Sequence, residues 1–233
     1  KNKIYFGDNL PILKSFPNEY VDLIYIDPPF NTGKKQTYTA IKTIKAKIGD
    51  RKGFKGDYYI TTKVSTRSYN DSFTKIDQPE LINHELKHAY EILSPSSNIV
   101  YLEYFLYPRL KEAYRILKPH GSLYFHIDYR EVALCRLLLD RIFGRENFMN
   151  EIIWAYDFGG RAKSRWPAKH DNILFYVKDK NNYIFNTNEI DREDYMAPGL
   201  VGPEKVEKRK LPTDTWFYPY VDKKINVGKK VPD

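Results

Sequence analysis

Between Val21 and Phe30 the chain reads Val-Asp-Leu-Ile-Tyr-Ile and then Asp-Pro-Pro-Phe. Asp22 to Ile26 is a nearly continuous apolar run, the pattern of a strand buried on both faces of a parallel sheet. It stops abruptly, because a proline fixes φ and removes a ladder donor, and two in succession cannot continue a strand. The chain is therefore constrained to an α/β sheet with Asp27, Pro28, Pro29 and Phe30 at the carboxyl end of a strand, where open sheets bind ligands.

The surrounding pattern agrees. Lys3 to Phe6 alternates like a strand, Asn9 is a plausible N-cap, and Leu10, Ile12, Leu13 and Phe16 recur at helical spacing. A helix is expected over about 79–93, a short strand over 98–101, and a second helix over about 102–117. Pro108 should kink that second helix or mark its true start. Ser122 to Ile127 reads as a strand and Glu131 to Phe143 as a helix. Asn150 to Tyr156 and Asn172 to Val177 read as two strands, antiparallel if adjacent. Strands alternating with helices predict an α/β sandwich. No stretch of eighteen apolar residues occurs, so no membrane span is expected. The single cysteine, Cys135, excludes an internal disulfide and suits a cytoplasmic protein. It falls between Leu134 and Leu137 and is expected in the core.

The chemistry of the Asp27–Phe30 corner is specific. Pro29 has no amide hydrogen to draw the Pro28 carbonyl inward, so that oxygen is expected to point outward beside the Asp27 carboxylate. Two acceptors facing one point fit an –NH2 group with its two donor hydrogens. Phe30 offers a flat apolar face for a planar ring. The group held is thus an aromatic amine such as adenine or cytosine. Hydrogen bonds to both amine hydrogens localise the nitrogen lone pair and so stabilise charge developing as that nitrogen attacks. A base inside a duplex must be flipped out to reach such a corner.

Charge supplies the second constraint. The net charge is +8, and the stretch from Lys34 to Lys75 holds eleven Lys/Arg against three Asp, an excess as large as the whole. With Gly49, Gly53 and Gly56 and no clear period, residues 34–77 are expected to form a long basic loop suited to a polyanion.

The same residues resemble the amino-methyltransferases of DNA restriction–modification systems, in the subgroup whose catalytic motif precedes its cofactor motif. Gly7-Asp8-Asn9-Leu10 with Val21 to Asn31 looks like the family's opening block. Tyr107-Pro108-Arg109-Leu110, Gly121 to Asp128, Phe143-Gly144, Glu151 to Trp154 and Lys169 to Tyr176 resemble later blocks. The resemblance implies a Rossmann-like, three-layer α/β methyltransferase fold. It implies methyl transfer from S-adenosylmethionine to adenine N6 in double-stranded DNA, since Asp at the first catalytic position favours adenine and Ser cytosine N4. By the same likeness, Asp27 and the Pro28 carbonyl bind the amine beside Pro29, and Phe30 stacks on the base. Asp8, Asn9 and Asp27 contact the cofactor. Asn31, Lys34, Lys35, Arg161, Lys163, Arg165, Trp166 and Lys169 contact DNA. Residues 1–155 are then the catalytic core and 156–233 a DNA-contacting, target-recognition region with a tail.

The chain departs from the family in one respect. The glycine loop that holds the cofactor, Asp-Pro-Phe-x-Gly-x-Gly, does not occur; Gly159-Gly160 and Gly199 to Gly202 do not match it. The sheet is therefore expected to be incomplete without that segment, which would lie beyond Asp233 or on another polypeptide, and this chain alone is not expected to hold the cofactor tightly. A restriction subunit or a second copy is an expected partner. Three other readings compete: cytosine-N4 methylation, a non-catalytic DNA-binding subunit, and a zinc protease built on His84, Glu85 and His88 in an H-E-x-x-H pattern. Lys87 between the two histidines disfavours the last, and no metal is expected. His126 and Asp128 are read as a strand-end pair with ordinary hydrogen bonds.

Overall fold

The computed structural model describes residues 2–52, 58–71, 100–157 and 159–218. The expected helix over 79–93, with its His84, Glu85 and His88, lies outside them. Among the described residues no helix is long and apolar enough to cross a membrane.

The core is a mixed five-stranded sheet. Its strands are β1 (Val21–Ile26), β5 (Leu117–Asp128), β6 (Phe148–Tyr156), β7 (His170–Val177) and β8 (Thr215–Tyr218), in the order β1-β5-β7-β6-β8. β1 runs parallel to β5, β7 is antiparallel to β6 as expected for those two strands, and β7 is also antiparallel to β5. β8 adds in parallel to β6. Its four residues carry too little period to stand out in a polar tail. The division expected at residue 155 falls inside β6, and β7 beyond it lies at the centre of the sheet.

Among the described residues four α-helices accompany it: α1 (Asn9–Ser15), α2 (Tyr107–Ile116), α3 (Val132–Phe143) and the six-residue α4 (Pro203–Lys208). Pro108 does mark a true start. The preceding Val100–Leu106 is wound as a π-helix, where a strand over 98–101 and the first turn of a helix had been expected. Tyr101, Leu102 and Leu106 are buried in that turn and join Leu110, Leu123, Phe125, Leu138, Leu174 and Cys135 in one core. Apolar burial, not strand pairing, decides the conformation there. α1 is clamped to α2 at both ends. Arg109 reaches Asp8 and Asn9 at the amino end, and Arg115 donates to the Leu13 and Phe16 carbonyls at the other. The Leu13 carbonyl also accepts from the Phe16 amide, so Arg115 adds a second bond there and supplies one to the Phe16 carbonyl just past the helix end.

Several expectations are corrected. The N-cap of α1 is Asp8, whose carboxylate accepts from the Leu10 amide, and not Asn9. Residues 3–6 form no strand: Ile4 and Phe6 are almost fully exposed, and without a neighbouring ladder the backbone gains nothing by extending. β1 is a strand but is not buried on both faces. It pairs only with β5 among the described residues, and Leu23 and Tyr25 are more than half exposed.

The largest correction concerns the basic segment. It is not a loop but a β-arm. β2 (Lys34–Ala46) pairs antiparallel with β4 (Tyr58–Asp71), and the two-residue β3 (Arg51–Lys52) adds at the far end of β4. Thr37, Thr39, Ile41, Thr43, Thr61, Thr62, Val64 and Thr66 supply β-branched side chains suited to a pleated ribbon. Most of the ribbon is exposed on both faces, so no apolar face repeats every second residue, and the sequence period that signals a half-buried strand is missing.

Candidate active site

Register gathers one end of the sheet. Ile26 lies beside Phe125, Asp128 beside Asp171, and Asp171 beside Trp154. The carboxyl ends of β1, β5 and β6 and the start of β7 therefore open on one corner, with Asp27 at its edge.

Asp27 keeps 59% of its side chain exposed. Pro28 is buried, and among the described residues its carbonyl accepts no hydrogen bond. The next carbonyl, of Pro29, is held by the Tyr101 hydroxyl at 2.5 Å. The π-turn thus anchors the second proline of the loop. Phe30 is partly buried and meets the His126 ring edge-on, with centroids 5.3 Å apart.

His126, read from the sequence as one of a strand-end pair with ordinary hydrogen bonds, makes such bonds and lies against the Asp27 corner. It is buried under the corner, with Nδ1 3.1 Å from the Tyr25 hydroxyl and 3.6 Å from Asp27 Oδ1. Its Nε2 lies 3.4 Å from Asp171 Oδ2, and its ring also lies against Trp154. Asp171 in turn accepts from the Tyr156 hydroxyl at 3.3 Å. Burial, and then the Asp171 charge, push the Tyr156 phenol up to about 12. Burial, and then the Asp27 charge, raise the Tyr25 phenol. Both phenols therefore stay protonated and can donate. A histidine next to a strand end carries no sequence signal for this; only the β1–β5 register brings it to Asp27. The other member of the strand-end pair behaves as expected: Asp128 accepts from the backbone and side chain of Arg130.

The other site residues named from the sequence fall into three groups. Asp8 and Asn9 lie together at the start of α1, both engaged by Arg109 at 2.7 and 2.9 Å. The Leu10 amide and then Arg109 hold the Asp8 carboxyl below the usual carboxylate range. More than half of the Asp8 side chain stays exposed, so an ionised carboxylate faces solvent there. Such an exposed acceptor fits the hydroxyls of a nucleoside, which donate, and so fits one end of S-adenosylmethionine.

Asn31, Lys34 and Lys35 follow Phe30 directly. The Asn31 side chain donates to the buried Glu131 at 3.0 Å, so it is turned toward the core. Lys34 and Lys35 open the arm and are exposed.

Arg161, Lys163, Arg165, Trp166 and Lys169 occupy the connection from β6 to β7, at the same sheet end as Asp27. Lys163 is exposed and Trp166 almost fully so. Arg165 reaches the Tyr129 hydroxyl at 3.4 Å and Arg161 pairs with Asp157. Lys169 instead closes its own loop, donating to the Gly159 and Gly160 carbonyls. The sequence reading missed a shallow basic depression lined by Arg192, Tyr195, Lys205, Lys208 and Arg209. Among the described residues no group of three or more His, Cys, Asp or Glu could hold a metal ion.

A family model described as DNA methylase, N6_N4_Mtase, matches residues 21–230. The chain is similar to the EcoP15I Mod subunit of a type III restriction-modification enzyme of Escherichia coli, 29% identical over 93% of this chain and 33% of that one. It is similar to the EcoPI Mod subunit of Escherichia phage P1, 31% identical over 83% of this chain and 27% of that one. It is also similar to the DNA adenine methyltransferase YhdJ of Escherichia coli, 25% identical over 94% of this chain and 58% of that one. The chain thus spans a third or less of the Mod subunits' length and over half of YhdJ.

Proposed function

This chain belongs to the DNA methylase family, and on that premise we propose that it transfers a methyl group from S-adenosylmethionine to N6 of a flipped-out adenine in duplex DNA, as part of a restriction–modification enzyme. The observation that carries the reading is the exposed Asp27 carboxylate at the carboxyl end of β1, on a loop pinned from behind through Pro29 and Tyr101.

S-adenosylmethionine, when bound, supplies the methyl group, and Asp8 and Asn9 would hold its nucleoside end. The Asp27 carboxylate and the Pro28 carbonyl each accept one amine hydrogen and localise the nitrogen lone pair. Phe30 stacks on the base. Asp27 takes the proton that the amine sheds as the new N–C bond forms. His126 and the protonated Tyr25 steady the corner from beneath. Such preorganised acceptors are most effective where charge develops in the transition state.

The arm and the β6–β7 connection supply the DNA surface. A two-stranded ribbon fits a DNA groove, and Lys34, Lys35, Lys42, Lys45, Lys63 and Arg67 bring positive charge along its length. Lys163, Arg165 and the exposed Trp166 flank the target corner, where cations meet phosphate and an aromatic ring can stack.

Asp27→Ala tests the reading. Methylation should be abolished while the fold and most DNA affinity persist. Wild-type transfer in that variant would refute the role given to Asp27.

A further inference from the structure

The arm leaves the core directly after the target-amine loop and returns to the same point. Lys34 opens β2 opposite Asp71, the last residue of β4. Asp71 is 1% exposed. Its Oδ1 accepts from the Asn31 amide at 2.8 Å. Its Oδ2 accepts from the Thr32 amide at 3.2 Å, the Thr32 hydroxyl at 2.5 Å and the Gln36 side chain at 3.3 Å. Its backbone carbonyl accepts from the Gly33 amide at 2.9 Å. A buried carboxylate is costly unless its oxygens are satisfied in this way, and hydrogen bonds to an ionised acceptor are about twice as strong as neutral ones.

The geometry of the loop explains what these bonds restrain. Asn31 has φ of 51° and Gly33 of 71°, both in the left-handed region. Asparagine tolerates that region better than most L-residues, and the Asn31 amide bond to Asp71 holds it there. The turn fixed by Asp71 begins immediately after Asp27-Pro28-Pro29-Phe30.

We propose that Asp71 is a positioning residue: it latches the foot of the DNA arm to the target-amine loop, so that the loop's catalytic geometry is set from the arm. The inference rests on the methyl-transfer reading above. Asp71 touches no reacting atom. It acts through Asn31 and Thr32, and displacing a positioned group by about 1 Å can slow a reaction on the order of a hundredfold.

The test uses the full-length protein at saturating S-adenosylmethionine and duplex DNA. Asp71→Asn places an amide where a carboxylate oxygen accepted. Thr32→Val removes one latch bond and keeps the size, and Thr32→Ser restores the hydroxyl. Asp71→Asn should lower kcat by about tenfold or more, with DNA Kd within about twofold. Thr32→Val should fall between it and wild type, and Thr32→Ser should match wild type. Should Asp71→Asn not fold, the Thr32 pair decides. Equal kcat for Thr32→Val and Thr32→Ser would overturn the latch, as would a kcat loss in Asp71→Asn matched by an equal loss of DNA affinity. Asp27→Ala separates the two ideas: if it is inactive while Asp71→Asn runs at the wild-type rate, only the latch fails. If Asp27→Ala is active, the site itself has been misread.

Discussion

The buried imidazole of His126 lies between two carboxylates, 3.6 Å from Asp27 through Nδ1 and 3.4 Å from Asp171 through Nε2. Phe30 and Trp154 pack on the same ring. His126→Phe keeps a ring in that space and removes both nitrogens. The melting temperature should shift by only a few degrees, while methyl transfer slows by about tenfold or more. Radiolabelled methyl incorporation measured beside thermal unfolding checks this. Wild-type turnover would reduce His126 to packing.

Arg109 binds Asp8 and Asn9 together. Arg109→Ala should weaken S-adenosylmethionine binding by about tenfold, on the order of 1.4 kcal/mol, and leave DNA affinity unchanged. Calorimetric titration gives both numbers. Equal cofactor affinity in the two proteins would remove Asp8 and Asn9 from the cofactor site.

The same pair predicts a pH effect. The native Asp8 carboxyl sits below its ordinary value, first through the Leu10 amide and then through Arg109. Its contribution to stability is present above the unfolded value of about 3.9 and is lost as pH falls through the lower native value. Arg109→Ala should therefore move the acid limb of the unfolding curve to slightly higher pH. The shift is small because solvent screens a carboxylate that is more than half exposed. An acid limb moved to lower pH would contradict the assignment.

The arm predicts a salt dependence. Replacing Lys42, Lys45, Lys63 and Arg67 with Ala should lower the slope of log K against log salt by roughly 0.9 for each phosphate that the arm no longer neutralises. The basal fold should persist, because the strands of the arm pair with one another and not with the five-stranded sheet. An unchanged slope would leave the arm without a role on DNA.

Leu174 lies at the centre of the sheet on β7 and is fully buried. Leu174→Ala should cost about 2–5 kcal/mol in a urea titration, from lost burial and the cavity left behind. A cost of about 0.5 kcal/mol or less, the level of a surface substitution, would mean that this core is not the one that holds the sheet.

The sequence alone determined the local features whose signals are short-range. Prolines end β1 and start α2 because they act on their own φ and on the residue beside them. The apolar periods of α3, β6 and β7 identify those elements because each buries one face or both. The Asp27 to Phe30 corner could be singled out because its pattern belongs to four consecutive residues and β1 ends just before it. The tertiary structure decided the rest. A ribbon exposed on both faces has no apolar alternation, so residues 34–71 read as a loop until the Lys34–Asp71 ladder paired them. His126 and Asp71 lie far along the chain from the loop they support. Only the β1–β5 register and the return of β4 bring them to it, and no pattern within one segment can encode a contact between two.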